Sequence, residues 1–165
     1  MKTKWIGLPL LVSLLVYMAA CDESDLCLSG QNAIQAGLYS AASGEESDTT
    51  LTGVYLWGLE AGTEIAKEVL IDSANVSGMY IPTDLDRDTT SIVLREKTGP
   101  SDLRDTMVFV YERHLNYVSG ECGFSYNLKL DTVLYTINLI DSIVISYPDV
   151  LYNETLENVK IYIEP

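Results

Sequence analysis

Phe124-Ser125-Tyr126-Asn127-Leu128-Lys129-Leu130-Asp131 is the stretch that decides the fold. Apolar and polar residues alternate across it without a lapse. Side chains that point to opposite faces at each step bury one face only when the chain is extended. The alternation predicts a strand with Phe124, Tyr126, Leu128 and Leu130 over a core and the polar set in water. Moving outward, the same period returns in Tyr135, Ile137 and Leu139. After a break at Asp141 it continues in Ile143, Ile145 and Tyr147. Val159, Ile161 and Ile163, interleaved with Asn158, Lys160 and Tyr162, form the last strand. Residues 107–111 are an unbroken apolar run, expected of a strand covered on both faces. Residues 34–40, 53–59, 69–71, 77–81 and 91–96 are weaker strand segments. Turn-forming residues separate these runs at 84–88, 98–102, 119–121 and 147–149, and residues 41–50 read as a loop.

No long stretch beyond the first twenty residues sustains a 3.6-residue apolar period. Residues 60–70 come nearest and are rejected as a helix. The expectation is an all-β domain over residues 33–165, an antiparallel sandwich of seven to nine strands, Ig-like or prealbumin-like. No internal repeat or second domain is seen.

The N-terminus has a different character. Lys2 and Lys4 precede an apolar core from Trp5 to Val16, followed by small residues up to Cys21. This is the layout of an export signal, and it is shorter than the roughly 20 apolar residues of a membrane span. Met18-Ala19-Ala20-Cys21 resembles the bacterial lipobox, with Met where Leu is commoner. The resemblance implies cleavage after residue 20 and a lipid on Cys21. A thioether lipid plus an N-acyl chain exceeds the single chain that binds only marginally. Residues 21–32, beginning Cys21-Asp22-Glu23-Ser24-Asp25, then serve as an acidic tether.

Cleavage would leave 145 of the 165 residues, enough for one domain with a substantial core. Lys2 and Lys4 would leave with the signal, so eight Lys and Arg face 24 acids, a formal charge of −16. Such a surface opposes nucleic acid, whose phosphates are bound through cations. It equally opposes direct docking on anionic headgroups, so attachment falls to the lipid. With Cys21 lipidated, Cys27 and Cys122 remain in an oxidising compartment. A Cys27–Cys122 disulfide would close a span of 95 residues, worth about 4–5 kcal/mol by loop-closure entropy. Two reduced thiols are the alternative.

Cys21, Cys27, Tyr117-Val118-Ser119, Cys122-Gly123-Phe124 and Asn158-Val159-Lys160-Ile161-Tyr162 together resemble a family of small Bacteroidota lipoproteins classed as a domain of unknown function. The resemblance implies an exported β-rich domain and assigns no activity. In that phylum, acids after the lipidated cysteine mark surface export, which Asp22, Glu23 and Asp25 partly match. In enteric bacteria the same acids mean inner-membrane retention. The outer membrane is the expected location, with the leaflet open. The phylum also O-glycosylates Ser or Thr after Asp. The matching residues here are Thr49, Ser73 and Thr89, with Thr106, Thr132 and Ser142 less favoured. A glycan needs an exposed acceptor.

Catalytic chemistry is hard to assemble. His114 is the sole histidine, and neither a Gly-x-Ser-x-Gly elbow nor a phosphate-cradling glycine loop is present. One histidine and two cysteines do not make a usual zinc site. Asp84-x-Asp86-x-Asp88 resembles the start of a calcium loop, but Thr89 and Arg95 stand where that loop needs Gly and Glu. The 24 acids offer many carboxylate pairs for glycoside hydrolysis, and nothing singles one out. No catalytic residue, metal or cofactor is therefore expected. Eleven tyrosines and Trp57 could form a binding platform, although tyrosine is also a good strand former. Tyr55 and Trp57 alternate with Val54 and Leu56, so the two sets cannot share a face.

Two functions fit. The first is a non-catalytic envelope lipoprotein, an accessory or structural subunit presenting its sandwich to a protein partner. The alternative is a surface module that binds glycan or peptide through exposed Tyr and Trp. An apolar patch or flat edge strand favours the first, a contiguous aromatic groove the second.

Overall fold

The computed structural model describes residues 32–42, 47–60, 62–98, 101–152 and 154–163. Among them there is no helix, and ten strands follow in order. They are β1 (Ala33–Ser40), β2 (Leu51–Leu59), β3 (Ala66–Val76), β4 (Gly78–Pro82), β5 (Thr89–Thr98), β6 (Ser101–Ser119), β7 (Gly123–Tyr135), β8 (Ile140–Ile145), β9 (Asp149–Val150) and β10 (Val159–Ile163). β9 is a two-residue pairing, too short to show in a periodicity. The other nine are full strands.

Two sheets pack against each other. The smaller has the order β4-β1-β10-β8 and the larger β3-β2-β5-β6-β7-β9. Pairing is antiparallel except between β1 and β10, where Ala36 meets Val159 and Ser40 meets Ile163. The first and last strands thus lie side by side at the centre of the smaller sheet. Inward from it come Ile34, Leu38, Ile81, Val159 and Ile161, all buried. Val54, Leu56, Ile92, Leu94, Met107, Phe109, Tyr111 and Leu128 face them from the larger sheet within one core cluster. Full burial of each such side chain contributes about 1.5–3 kcal/mol. The expected β-sandwich is what the chain forms.

Polar residues join the layers. The buried Asn158 donates from Nδ2 to the carbonyls of Tyr147 and Asp149, at 3.1 and 3.0 Å. Its Oδ1 accepts from the Gln35 amide at 3.0 Å. One side chain therefore ties β1, β10 and the turn before β9. Asn158→Ala should cost about 2 kcal/mol, because buried groups lose their partners; urea unfolding would measure it. Tyr111, also buried, donates its hydroxyl to the Asp84 carbonyl at 2.8 Å and meets Thr90 Oγ1 at 2.7 Å.

Four expectations need correction. Residues 107–111 are not covered on both faces: Met107, Phe109 and Tyr111 are buried, while Val108 and Val110 are only half-buried on the outer face. Nothing among the described residues forms a third layer there, and β-branched neighbours give partial cover. The break after β7 falls at 136–139 rather than at Asp141, leaving Ile137 exposed. The cause is Asp105, whose carboxylate accepts from the amides of Asn138, Leu139 and Ile140 and fixes the turn. Third, Phe124 begins its strand beyond the end of the core and is exposed. Fourth, the segment expected at 69–71 is the eleven-residue edge strand β3. Its residues are mostly exposed, and its pairing with β2 is broken by bulges. Charge and bulges keep such an edge from pairing further.

Candidate functional site

The outer face of the larger sheet carries the most coherent surface feature. Parity sends Val54 and Leu56 inward, so Tyr55 and Trp57 face out together. Trp57 pairs with Val69 on β3 and with Val93 on β5. Val93 pairs with Thr106, two residues from Val108, and Val108 pairs with Leu134 on β7. Val69, Trp57, Val93, Val108 and Leu134 therefore form an apolar row across five adjacent strands. At about 4.8 Å per strand the row is about 20 Å long. Its two ends are open, Val69 being 66% and Leu134 60% exposed, while its middle residue Val93 is buried by its neighbours. Exposed apolar side chains grouped on a sheet face mark protein interfaces, and this row offers them at its two ends.

One paired cation borders the row on the same face. Arg95 pairs across the hairpin with Asp102, Nε to Oδ1 at 2.5 Å and Nη2 to Oδ2 at 2.8 Å. The guanidinium also lies 5.5 Å from the centre of the Tyr55 ring. The Arg95 hydrogen bond holds the Asp102 carboxyl below its usual range. An apolar centre with a polar rim is the ordinary anatomy of a protein–protein contact.

On the outer face of the smaller sheet, the Tyr39 and Tyr162 rings lie 5.7 Å apart, and Lys160 Nζ sits 5.1 Å from the Tyr39 ring centre. Tyr39 donates its hydroxyl to Glu157 at 3.1 Å. Burial first, then this carboxylate, raises the Tyr39 pKa. Glu157 rests over Gly37, where an added Cβ would fall 2.0 Å from Oε2. Tyr80, on the neighbouring strand β4, is exposed. These aromatics lie on a sheet face rather than in a groove.

The other residues singled out from sequence are dispersed. His114 is exposed, with Nε2 3.6 Å from Glu112 Oε2, and stands opposite Asn127. The three aspartates of the 84–88 turn have separate partners: Asp84 faces Lys67 and Arg87, Asp86 donates its amide back to Asp84, and Asp88 holds Arg113 at 2.7 Å. The carboxylates serve the turn and its ion pairs. No cluster of metal-ligating side chains occurs among the described residues.

Of the glycan acceptors, Ser73 is exposed in a β3 bulge at φ 51. Thr49 and Thr89 are half-buried, with Thr89 inside β5 opposite Val110. β5 thus begins directly after the 84–88 turn, two residues ahead of the 91–96 segment expected from the sequence, and takes in Thr89. Thr132, although inside β7, is exposed. Cys21 and Cys27 lie outside the described residues, as does the expected signal over residues 1–20. Cys122 is half-buried in the turn between β6 and β7, its amide donating to Ser119 Oγ at 3.0 Å. Gly123 follows with φ 69, a backbone setting that favours glycine, which explains Gly between Cys122 and Phe124. Among the described residues, no helix is long and apolar enough to cross a membrane.

Sequence reasoning missed the row because it considered strands singly, and the row appears only when five strands are set side by side. No curated protein and no solved structure matches this chain. A family model does match, over residues 54–163, from β2 to the end of β10, and the chain belongs to that family of unknown function, DUF6452.

Proposed function

We propose that the protein is a non-catalytic envelope lipoprotein that presents its sandwich to a protein partner through the outer face of the larger sheet. The observation that carries this reading is the five-strand apolar row from Val69 to Leu134. In this reading residues 1–20 are removed on export, Cys21 carries the lipid, and Cys27 and Cys122 are joined. The strong acidity agrees with a membrane attachment that relies on lipid rather than on headgroup charge. The outer membrane, with the leaflet open, is the place this reading gives it, on the family resemblance taken together with the acids after Cys21.

The test is affinity capture of the lipidated protein from intact envelopes, beside a Val69→Glu/Leu134→Glu variant. A stoichiometric protein partner should accompany the native chain. Recovery should fall at least about tenfold in the variant, since two charges in an apolar contact cost well over 1.4 kcal/mol. Equal recovery with both proteins, while circular dichroism shows the same sheet, would refute the surface assignment.

The alternative, a glycan- or peptide-binding module, is favoured by the Tyr39–Tyr162 pair with Lys160 and Glu157 beside it. Retention on a glycan array that disappears in Tyr39→Ala, with no protein partner captured, would move the assignment there. Ser73 is the glycan acceptor we favour on exposure. Intact-mass analysis of the native protein should show a sugar adduct that Ser73→Ala removes, and an unmodified mass would end that assignment.

A further inference from the structure

Gly58 is a glycine with no local need to be one. It lies inside β2 at the inward parity of Val54 and Leu56, paired with the buried Ile92 on β5 and with Glu68 on β3. Its φ is not positive, and an added Cβ would meet nothing within 4 Å. Neither backbone nor packing excludes a side chain there, and a strand interior is weakened by lacking one. Glycine in such a place often marks where a ligand comes close.

The space beside it is a cleft of about 100 Å³ lined by Gly58, Leu70, Pro82 and Ile92, at the end of the sandwich where β2 stops. Leu70 and Ile92 belong to the core or pack against it, so the floor is apolar. A second hollow of about 190 Å³ adjoins the first, sharing Lys67 and Asp84 with it and adding Glu60, Ile65 and Arg87. Lys67 is the extra residue of a bulge between the Gly58–Glu68 and Leu59–Ala66 pairs, and bulges re-aim side chains beside functional sites.

Both signs of charge meet at this mouth. Lys67 Nζ and Arg87 Nε stand 3.7 and 3.8 Å from the same Asp84 oxygen, too far to donate hydrogen bonds to it. Their N–H groups are therefore not spent on that carboxylate. Glu60 and Glu68 line the same mouth and are exposed. A simple anion would meet three acids here, and a simple cation two bases. A molecule carrying both charges meets a partner for each.

We propose that this cleft binds a small zwitterion with an apolar side group, the chemistry of a free apolar α-amino acid. The side group, of about four carbons, fills the space over Gly58, much as a cavity of about 150 Å³ takes up benzene. The carboxylate accepts from Lys67 and Arg87, and the ammonium faces Glu60 and Glu68. The cleft opens at the end of the sandwich, apart from the apolar row, so the inference is independent of the protein partner and of the lipid.

The experiment titrates the ¹⁵N-labelled full-length protein, in detergent, with L-leucine. Two analogues follow, 4-methylpentanoate without the ammonium and 3-methylbutylamine without the carboxylate. L-leucine should give saturable amide shifts at Gly58, Leu70 and Ile92. Each analogue should bind at least about tenfold more weakly, having lost a charge-assisted contact. Gly58→Val, which fills the space, should abolish the leucine response while the urea midpoint holds or rises, valine being the better strand former. Lys67→Gln/Arg87→Gln, altered only at exposed positions, should weaken leucine by at least about tenfold as well. No saturable shift with L-leucine would overturn the proposal. So would an unchanged response in either variant, or an analogue that binds as tightly as leucine.

Discussion

Asp105→Ala is expected to lower the unfolding free energy by about 3–5 kcal/mol, a large share of the 5–15 kcal/mol typical of a domain. Asp105 is 1% exposed, and its carboxylate is the hub of the β7–β8 turn. It accepts from Thr136 Oγ1 at 2.5 Å, from the Leu139 amide at 2.6 Å, from the Ile140 amide at 2.8 Å and from both nitrogens of Asn138. Truncation leaves these donors without acceptors at the rim of the core, each a cost of about 1–3 kcal/mol that adds only in part.

The ionised state matters as well. Burial pushes the Asp105 carboxyl up, but the hydrogen bonds from Thr136 and from the amides of Ile140, Leu139 and Asn138 outweigh it and hold the pKa below the usual value. A depressed folded pKa means stability that is fully present above the unfolded value, about 3.9. It is lost as pH falls below that toward the folded pKa, because protonation then favours the unfolded chain. Urea midpoints from pH 7 to pH 2 should fall steeply at the acid end. The same series in Asp105→Asn should start lower and fall less.

Phe109→Ala is expected to cost about 3–5 kcal/mol, the range for deleting a buried aromatic ring. The side chain is fully buried at the middle of the core cluster. Val108→Ala, one residue away, should cost about 1 kcal/mol or less, because Val108 is half-buried on the outer face. The pair of substitutions, read by chemical denaturation, tests the orientation of β6. Similar large losses from both would mean that the strand is buried on both sides after all.

Much of the fold is legible in side-chain period. Val159, Ile161 and Ile163 alternate and are buried; Leu128 and Leu130 alternate and are buried. Period reports which face a residue takes, but it does not say whether anything covers that face. Phe124 shares its face with Leu128 and is exposed, because the smaller sheet ends short of it. Val108 lies in an apolar run and is still at the surface. Pairing partners are similarly silent: nothing local in residues 33–40 or 159–163 states that they run parallel side by side. Asp105 could have been found. It holds the same parity as Met107, Phe109 and Tyr111, and an acid in an inward register needs an unusual set of donors. The candidate surface was half legible, since Trp57 was suspected, whereas Val69 and Leu134 join it only through the sheet order.

Site-specific photo-crosslinking in intact envelopes tests the central claim most directly. A photoreactive amino acid would replace Val69 or Leu134 on one outer face, and Tyr39 or Tyr80 on the other. The account predicts that the first pair yields a discrete, shared protein adduct and that the second pair does not. Adducts confined to the Tyr39 and Tyr80 positions, or none from Val69 and Leu134, would contradict it.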